Sequence, residues 1–133
     1  HVVAKAALRH LDTWVRTGEA PPGAPLLDVS EGEAPAIRRD DDGIALGGLR
    51  TPPVDVPAEV LSGVAGPNPD LLCILLGSTQ PLPAERLAAL YPSRSAYETQ
   101  FDTDTDKAID AGVVLAEDRE ALTAYARPDR IQG

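Results

Sequence analysis

From Val2 to about Thr17 the apolar residues Val3, Ala7, Leu8, Leu11, Trp14 and Val15 recur at intervals of three and four, while Lys5, Arg9, Asp12 and Arg16 line the other side. That spacing predicts an amphipathic helix of about four turns. Asp12 and Arg16 stand at i, i+4, the separation at which opposite charges meet on a helix. Gly18 is placed to end the helix in a left-handed cap before Pro21-Pro22.

Beyond Pro21 the helical period is lost. Short β-prone runs follow, Leu26-Leu27-Asp28-Val29, Ala36-Ile37-Arg38 and Ile44-Ala45-Leu46, and Asp40-Asp41-Asp42-Gly43 between the last two reads as a hairpin turn. Gly47-Gly48-Leu49-Arg50-Thr51-Pro52-Pro53 leads into Val54-Asp55-Val56-Pro57 and Val60-Leu61. Its prolines predict an edge strand or an extended wrap, because a central strand needs the ladder N–H that proline lacks. Leu71 to Leu76 is the longest unbroken apolar run and has the length of a buried strand. Gly63, Gly66-Pro67-Asn68-Pro69 and Gly77-Ser78-Thr79-Gln80-Pro81 read as loops around it.

After Pro83 the helical period returns. Leu87, Leu90 and Tyr91 predict a short helix ending near Pro92. Ser93 or Ser95 caps a second helix carrying Tyr97, Phe101, Ala108 and Ile109, with Gly112 at its exit. A third has Glu117 and Asp118 at its start and Leu122 and Tyr125 as its buried stripe, up to Pro128.

Composition qualifies this picture in one respect. Aromatic residues make up 4% of the 133, methionine is absent and 20 residues are alanine, so the side chains available to fill an interior are few and small. A net charge of −9 disfavours a polyanionic partner, and nucleic acid is not expected. No stretch approaches the ~18 apolar residues of a membrane span, and no membrane association is expected. Neither a signal peptide nor a lipidation motif is visible, and the sequence assigns no compartment. A single cysteine, Cys73, excludes an internal disulfide framework and a thiolate zinc cluster; within its apolar run it reads as a buried structural thiol.

Candidate chemistry is sparse. A serine nucleophile needs an imidazole and an orienting carboxylate, and the two imidazoles are His1 and His10. Ser30, Ser62, Ser78, Ser93 and Ser95 lie in no Gly-x-Ser-x-Gly elbow, so no complete triad assembles from this chain. Asp102-Thr103-Asp104-Thr105-Asp106 imitates the opening of a calcium loop, but Lys107 stands where glycine is needed and Val113 where the bidentate glutamate is needed. These aspartates read as a solvated helix face, and Asp40, Asp41 and Asp42 as turn chemistry. His10 has no carboxylate or thiolate at ligand spacing and reads as a partly buried packing residue. No metal and no cofactor are expected. His1, just ahead of the first helix, is the one imidazole whose position could face a crevice.

Four phrases carry a family resemblance. They are His1 with Ala6-Ala7-Leu8-Arg9-His10-Leu11-Asp12-Thr13-Trp14-Val15-Arg16; Ala45-Leu46-Gly47-Gly48-Leu49-Arg50-Thr51-Pro52 running into Val54-Asp55-Val56-Pro57; Leu72-Cys73 with Leu76-Gly77-Ser78-Thr79 and Pro81; and Arg86-Leu87-Ala88-Ala89-Leu90-Tyr91-Pro92 with Tyr97 and Phe101. Their wording resembles the C-terminal part of a bacterial family described as alpha/beta hydrolase domain proteins. The resemblance implies that the first helix is the last helix of a hydrolase sheet and that His1 falls at the catalytic histidine, acting as general base. The serine, the acid and the oxyanion donors would then lie upstream. An aromatic residue is expected after that histidine, and Val2 stands there instead. Gly47, Gly48, Arg50 and Thr51 form the most distinctive exposed phrase; they are weak substrate-binding candidates, with docking against the catalytic body the favoured role.

The expectation is therefore an α+β chain forming the C-terminal portion of a serine hydrolase of ester-like substrates. Residues 1–18 would be the last helix of the sheet domain, 19–82 a Pro/Gly-rich extended and hairpin segment, and 83–133 a small helical segment. Its partners would be the rest of the hydrolase domain and, for the parent, a small ester. By itself the chain would be inactive. The rival expectation is a free-standing acidic interaction domain without catalysis. An in-frame Gly-x-Ser-x-Gly coding sequence upstream of His1 separates the two.

Overall fold

The computed structural model describes residues 1–63 and 71–132, with the side chains of Leu72 and Cys73 left outside that description. The loop expected at Gly66-Pro67-Asn68-Pro69 and the burial expected of the Cys73 thiol therefore lie outside the described residues. The architecture is α+β. In chain order the elements are α1 (Val2–Thr17), α2 (Pro52–Asp55), β1 (Glu59–Ser62), α3 (Leu71–Leu76), β2 (Ser78–Pro81), α4 (Ala84–Leu90), α5 (Arg94–Asp110) and α6 (Arg119–Thr123). Single 3-10 turns at Ala116–Asp118 and Pro128–Arg130 flank α6.

α1 has the expected bounds, with Gly18 at φ 76° returning its N–H to the Trp14 carbonyl. That conformation puts a Cβ against its own backbone, which is why glycine ends the helix. The segment after it forms no extended strand. Instead Leu27 bridges Gly47, Val29 bridges Ile37 and Arg39 bridges Ala45, all antiparallel. Three hydrogen bonds close a ring: Asp28 N–H donates to the Leu46 carbonyl, Leu46 N–H to Arg38 and Arg38 N–H to Asp28, each at 2.9 Å. The hairpin turn is the expected one, for the Asp40 carboxylate accepts the N–H groups of Asp42 and Ile44 at 3.0 and 2.8 Å. Asp42 holds the Arg86 guanidinium through Nε and Nη2 at 2.8–3.0 Å, tying this turn to α4.

Three expectations fail between Thr51 and Pro81. Pro52–Asp55 is a helical turn rather than an extended wrap, since proline at the first helical position gives up an N–H that has no partner there. Leu71–Leu76 is a helix, not a strand, and Leu71, Ile74, Leu75 and Leu76 are exposed. Ser78–Pro81, read as a loop, is β2. It pairs antiparallel with β1, Glu59 opposite Pro81 and Ser62 opposite Ser78. Leucine is a strong helix former, and a run with no polar alternation fits a helix as well as a strand.

The principal core gathers Val56, Ala58, Leu82, Leu87, Tyr91, Tyr97, Phe101 and Ile131. Tyr91 meets Tyr97 edge-on at 5.0 Å between ring centres, and Tyr97 lies 5.9 Å from Phe101. Both phenols are satisfied: Tyr91 Oη donates to the Pro57 carbonyl at 3.0 Å, and Tyr97 Oη accepts the Arg127 N–H at 2.9 Å. Burial pushes both hydroxyl pKa values up. A second, smaller cluster of Val2, Ala108, Val114 and Leu122 attaches α1. Ser93 caps α5 by accepting the Ala96 N–H at 3.1 Å.

The acidic series on α5 is only partly solvated. Two residues advance roughly 200° around a helix, so Asp104 lies across α5 from Asp102 and Asp106. Asp104 is 8% exposed, with Lys107 at 3.5 Å. Asp106 pairs instead with Arg119. Burial raises the Asp104 carboxyl pKa, the Asp55 charge adds to the rise, and Lys107 and Arg50 oppose it. The folded chain thus keeps a proton that the unfolded chain has released, and this residue's contribution to stability falls as pH rises from 3.8 through the raised folded value. Asp104→Asn is expected to raise the urea midpoint at neutral pH and to leave it little changed in acid. A variant less stable than the parent at neutral pH would contradict the sign.

Candidate functional site

The surroundings of His1 are set by which face α1 turns inward. Val2 and Ala6 are buried, and His1, Lys5 and Arg9, each four residues apart, lie beside them. Lys5 Nζ pairs with the buried carboxylate of Asp118 through Oδ1. Arg9 Nη2 donates to Glu117 at 3.0 Å, and His1 Nδ1 lies 3.3 Å from Tyr125 Oη. On the same side, His10 Nε2 sits 2.8 Å from the Gly112 carbonyl oxygen, so that nitrogen carries the proton and donates it. His10 is the expected half-buried packing residue. His1 itself is exposed.

The stripe that makes α1 amphipathic faces the other way. Leu8, Leu11, Trp14 and Val15 are between 47% and 78% exposed, and Ala4 and Ala7 are exposed with them. The inner face is that of Val2 and Ala6, flanked by Lys5 and Arg9, whose ion pairs with Asp118 and Glu117 lie at its margin. Tyr125, expected in a buried stripe, is exposed and turned to the imidazole. Asp118 Oδ2 is buried without a hydrogen-bond partner among the described residues.

The phrase Gly47-Gly48-Arg50-Thr51 is held by the backbone around it. Gly47 has φ 71°, and a Cβ there would collide with the Leu26 carbonyl oxygen, so the chain passes only as glycine. Gly48 is buried, its N–H donating to Leu26 at 2.9 Å. Arg50 donates through Nε to Asp55 at 2.6 Å and through Nη1 to the Ala45 carbonyl at 2.8 Å. Thr51 caps α2, its carbonyl accepting from Val54 and Asp55. These contacts shape the segment, and the Gly48 and Arg50 contacts turn it toward the protein rather than outward.

Two adjoining cavities connect this phrase with α1. One of about 290 Å³ is lined by Val3, Ala7, His10, Pro22, Leu49 and Val113. The other, of about 280 Å³, takes Leu49 as well and adds Arg50, Asp55, Asp104 and Lys107. The start of α1 and the Gly47–Thr51 phrase, separated in sequence, therefore contribute to neighbouring walls.

Compared with known proteins, residues 1–124 match the model of a family described as alpha/beta hydrolase domain. The chain belongs to that family. No curated protein and no solved structure matches it. The match takes in His1 and the Gly47–Thr51 phrase of this alpha/beta hydrolase family chain and ends one residue before Tyr125. Among its described residues no group of three or more His, Cys, Asp or Glu side chains is arranged to hold a metal ion. No helix there is long and apolar enough to cross a membrane.

Sequence reasoning missed three participants in the His1 surroundings. Lys5 carried no signal beyond its place on the polar face, since an ion pair 113 residues away in sequence has no local pattern. Asp118 read as a helix-start charge and Tyr125 as core. Tertiary packing of Val2 with Leu122 brings Asp118 to Lys5 and Tyr125 to the imidazole.

Proposed function

We propose that this chain is the C-terminal portion of a serine hydrolase acting on ester bonds, that it completes and covers a catalytic domain formed by sequence upstream, and that His1 is the general base. In this reading residues 1–18 finish the hydrolase sheet domain, residues 19–82 wrap over it, and residues 83–133 form the helical cover. The observation that carries it is the outward apolar stripe of α1. A helix anchored through Val2 and Ala6 with ion pairs at the margin, while presenting Leu8, Leu11, Trp14 and Val15 outward, has the character of an interface helix between two bodies. Family membership favours a hydrolase body as what lies on the other side.

The chemistry assigned to His1 follows from imidazole. Its free ring nitrogen takes the proton of the serine hydroxyl as the oxygen attacks the ester carbonyl, and returns that proton to the departing alkoxide. In the second half it takes a proton from water and gives it back to the serine as the acyl–oxygen bond breaks. An exposed imidazole at the first residue before an anchored helix supports this role, because the helix defines the ring's origin while its edge stays reachable.

The deciding experiment is labelling of the full-length protein with a fluorophosphonate probe. One labelled serine, within a Gly-x-Ser-x-Gly elbow upstream of His1, is the expected result. A folded full-length protein that takes up no label and hydrolyses no ester, or a start codon immediately before His1, would remove the hydrolase reading and leave the interaction domain.

A further inference from the structure

We propose that the two adjoining cavities, with a third beyond them, form one groove along α5 that binds a primary ammonium amphiphile, its apolar body between α1 and Leu49 and its head on the Asp104 carboxylate. The groove is continuous because its parts share walls. Leu49, Ala111 and Val113 line both the first and the second cavity, and Asp55, Asp104 and Lys107 line both the second and a third of about 440 Å³. From Asp104 to Ala111 it follows α5 for roughly 10 Å, at about 1.5 Å per residue. His1 lines none of the three, so the site stands apart from the base role. The apolar end is set by Val3, Ala7, Pro22 and Leu49, and His10, the one titratable side chain among its lining residues, has its Nε2 proton committed to the Gly112 carbonyl. A second charge on the ligand would find no counter-ion there.

At the other end, where α2 packs against α5, the ions differ in freedom. Arg50 is closed onto Asp55 at 2.6 Å and onto the Ala45 carbonyl at 2.8 Å. Asp104 has Lys107 at 3.5 Å, a side chain 72% exposed against 11% for the carboxylate. Lysine's flexible stem can carry its ammonium back into water, so the charge fixed in the groove is the anion. Burial, with the Asp55 charge adding to it, raises the Asp104 carboxyl pKa, the mark of a carboxylate short of compensation. A ligand ammonium brings three donors to that carboxylate and releases Lys107 to solvent. An anionic head would meet Asp55 and Asp104 with one mobile cation to set against them, and a net charge of −9 repels it on approach.

The test is calorimetric titration of the full-length protein with octylammonium, octanol and octanoate, each below its micelle concentration. Octylammonium is expected to bind at one site, about tenfold tighter than octanol, as for the gain of a charge-assisted hydrogen bond, and octanoate to bind more weakly than either. Asp104→Asn, expected to fold with a higher urea midpoint, should remove the ammonium's advantage and leave octanol unchanged. Lys107→Ala should tighten octylammonium by taking away the competing cation. Ala111→Trp, at an exposed position where the first two cavities meet, should weaken octylammonium and octanol alike. Octanoate binding most tightly, and losing its affinity in Lys107→Ala, overturns the proposal in favour of an anionic ligand. Octylammonium affinity unmoved by both Asp104→Asn and Ala111→Trp overturns it as binding elsewhere, and a folded protein that takes up no probe overturns it by leaving the groove to the upstream chain.

Discussion

Turnover of an ester by the full-length protein is expected to fall by about 10⁴-fold or more when His1 is replaced by alanine, since a serine without its base retains only binding and oxyanion stabilisation. The loss should sit almost wholly in kcat. The fold should not change: His1 is exposed and its side-chain partner among the described residues is an exposed phenol, so the melting temperature is expected to match the parent's. That separation makes the result interpretable. Full activity in the alanine variant would take His1 out of the mechanism and return the first residue of α1 to an ordinary helix start.

The second large effect concerns the outward face of α1, where Leu11→Asp should behave differently in two contexts. In the 133-residue chain alone the side chain is already half in water, and substitutions at such positions stay within about 0.5 kcal/mol. Joined to its upstream body, the same position would be covered, and a carboxylate there should cost about 2–5 kcal/mol through lost apolar burial and an unpaired charge. Urea unfolding of both proteins measures the difference. Equal sensitivity in the two would mean that the stripe meets nothing upstream and that the proposed arrangement is wrong. Trp14, exposed on the same stripe, offers a fluorescence report of whether it leaves water when the body is present.

Local chemistry made much of the fold legible. Gly18 and Ser93 end and begin helices as their conformational and capping preferences require. The Asp40–Gly43 turn is built from the Asp40 carboxylate and nearby N–H groups, and Tyr97, Phe101 and Ala108 are buried on α5 as their spacing predicts. Where partners decide, the reading failed. Leu71–Leu76 is apolar throughout, so periodicity could not choose between strand and helix, and the run is helical. Asp104 read as solvated because alternate positions look equivalent in a sequence, whereas α2 packs against α5 on its side.

What the residues themselves settled was where helices start and stop, that the interior material is scarce, and that His1 is the imidazole standing at a helix entrance. These depend on backbone sterics, capping and volume, all local quantities. Which face of α1 points inward was decided by tertiary structure alone. Its hydrophobic stripe has the larger local claim to burial, yet Lys5 and Arg9 face Asp118 and Glu117 across more than a hundred residues of chain, and Val2 packs with Ala108, Val114 and Leu122. Burial goes to the surface that finds a complementary partner, and the stripe's own partner is not within these residues' described structure.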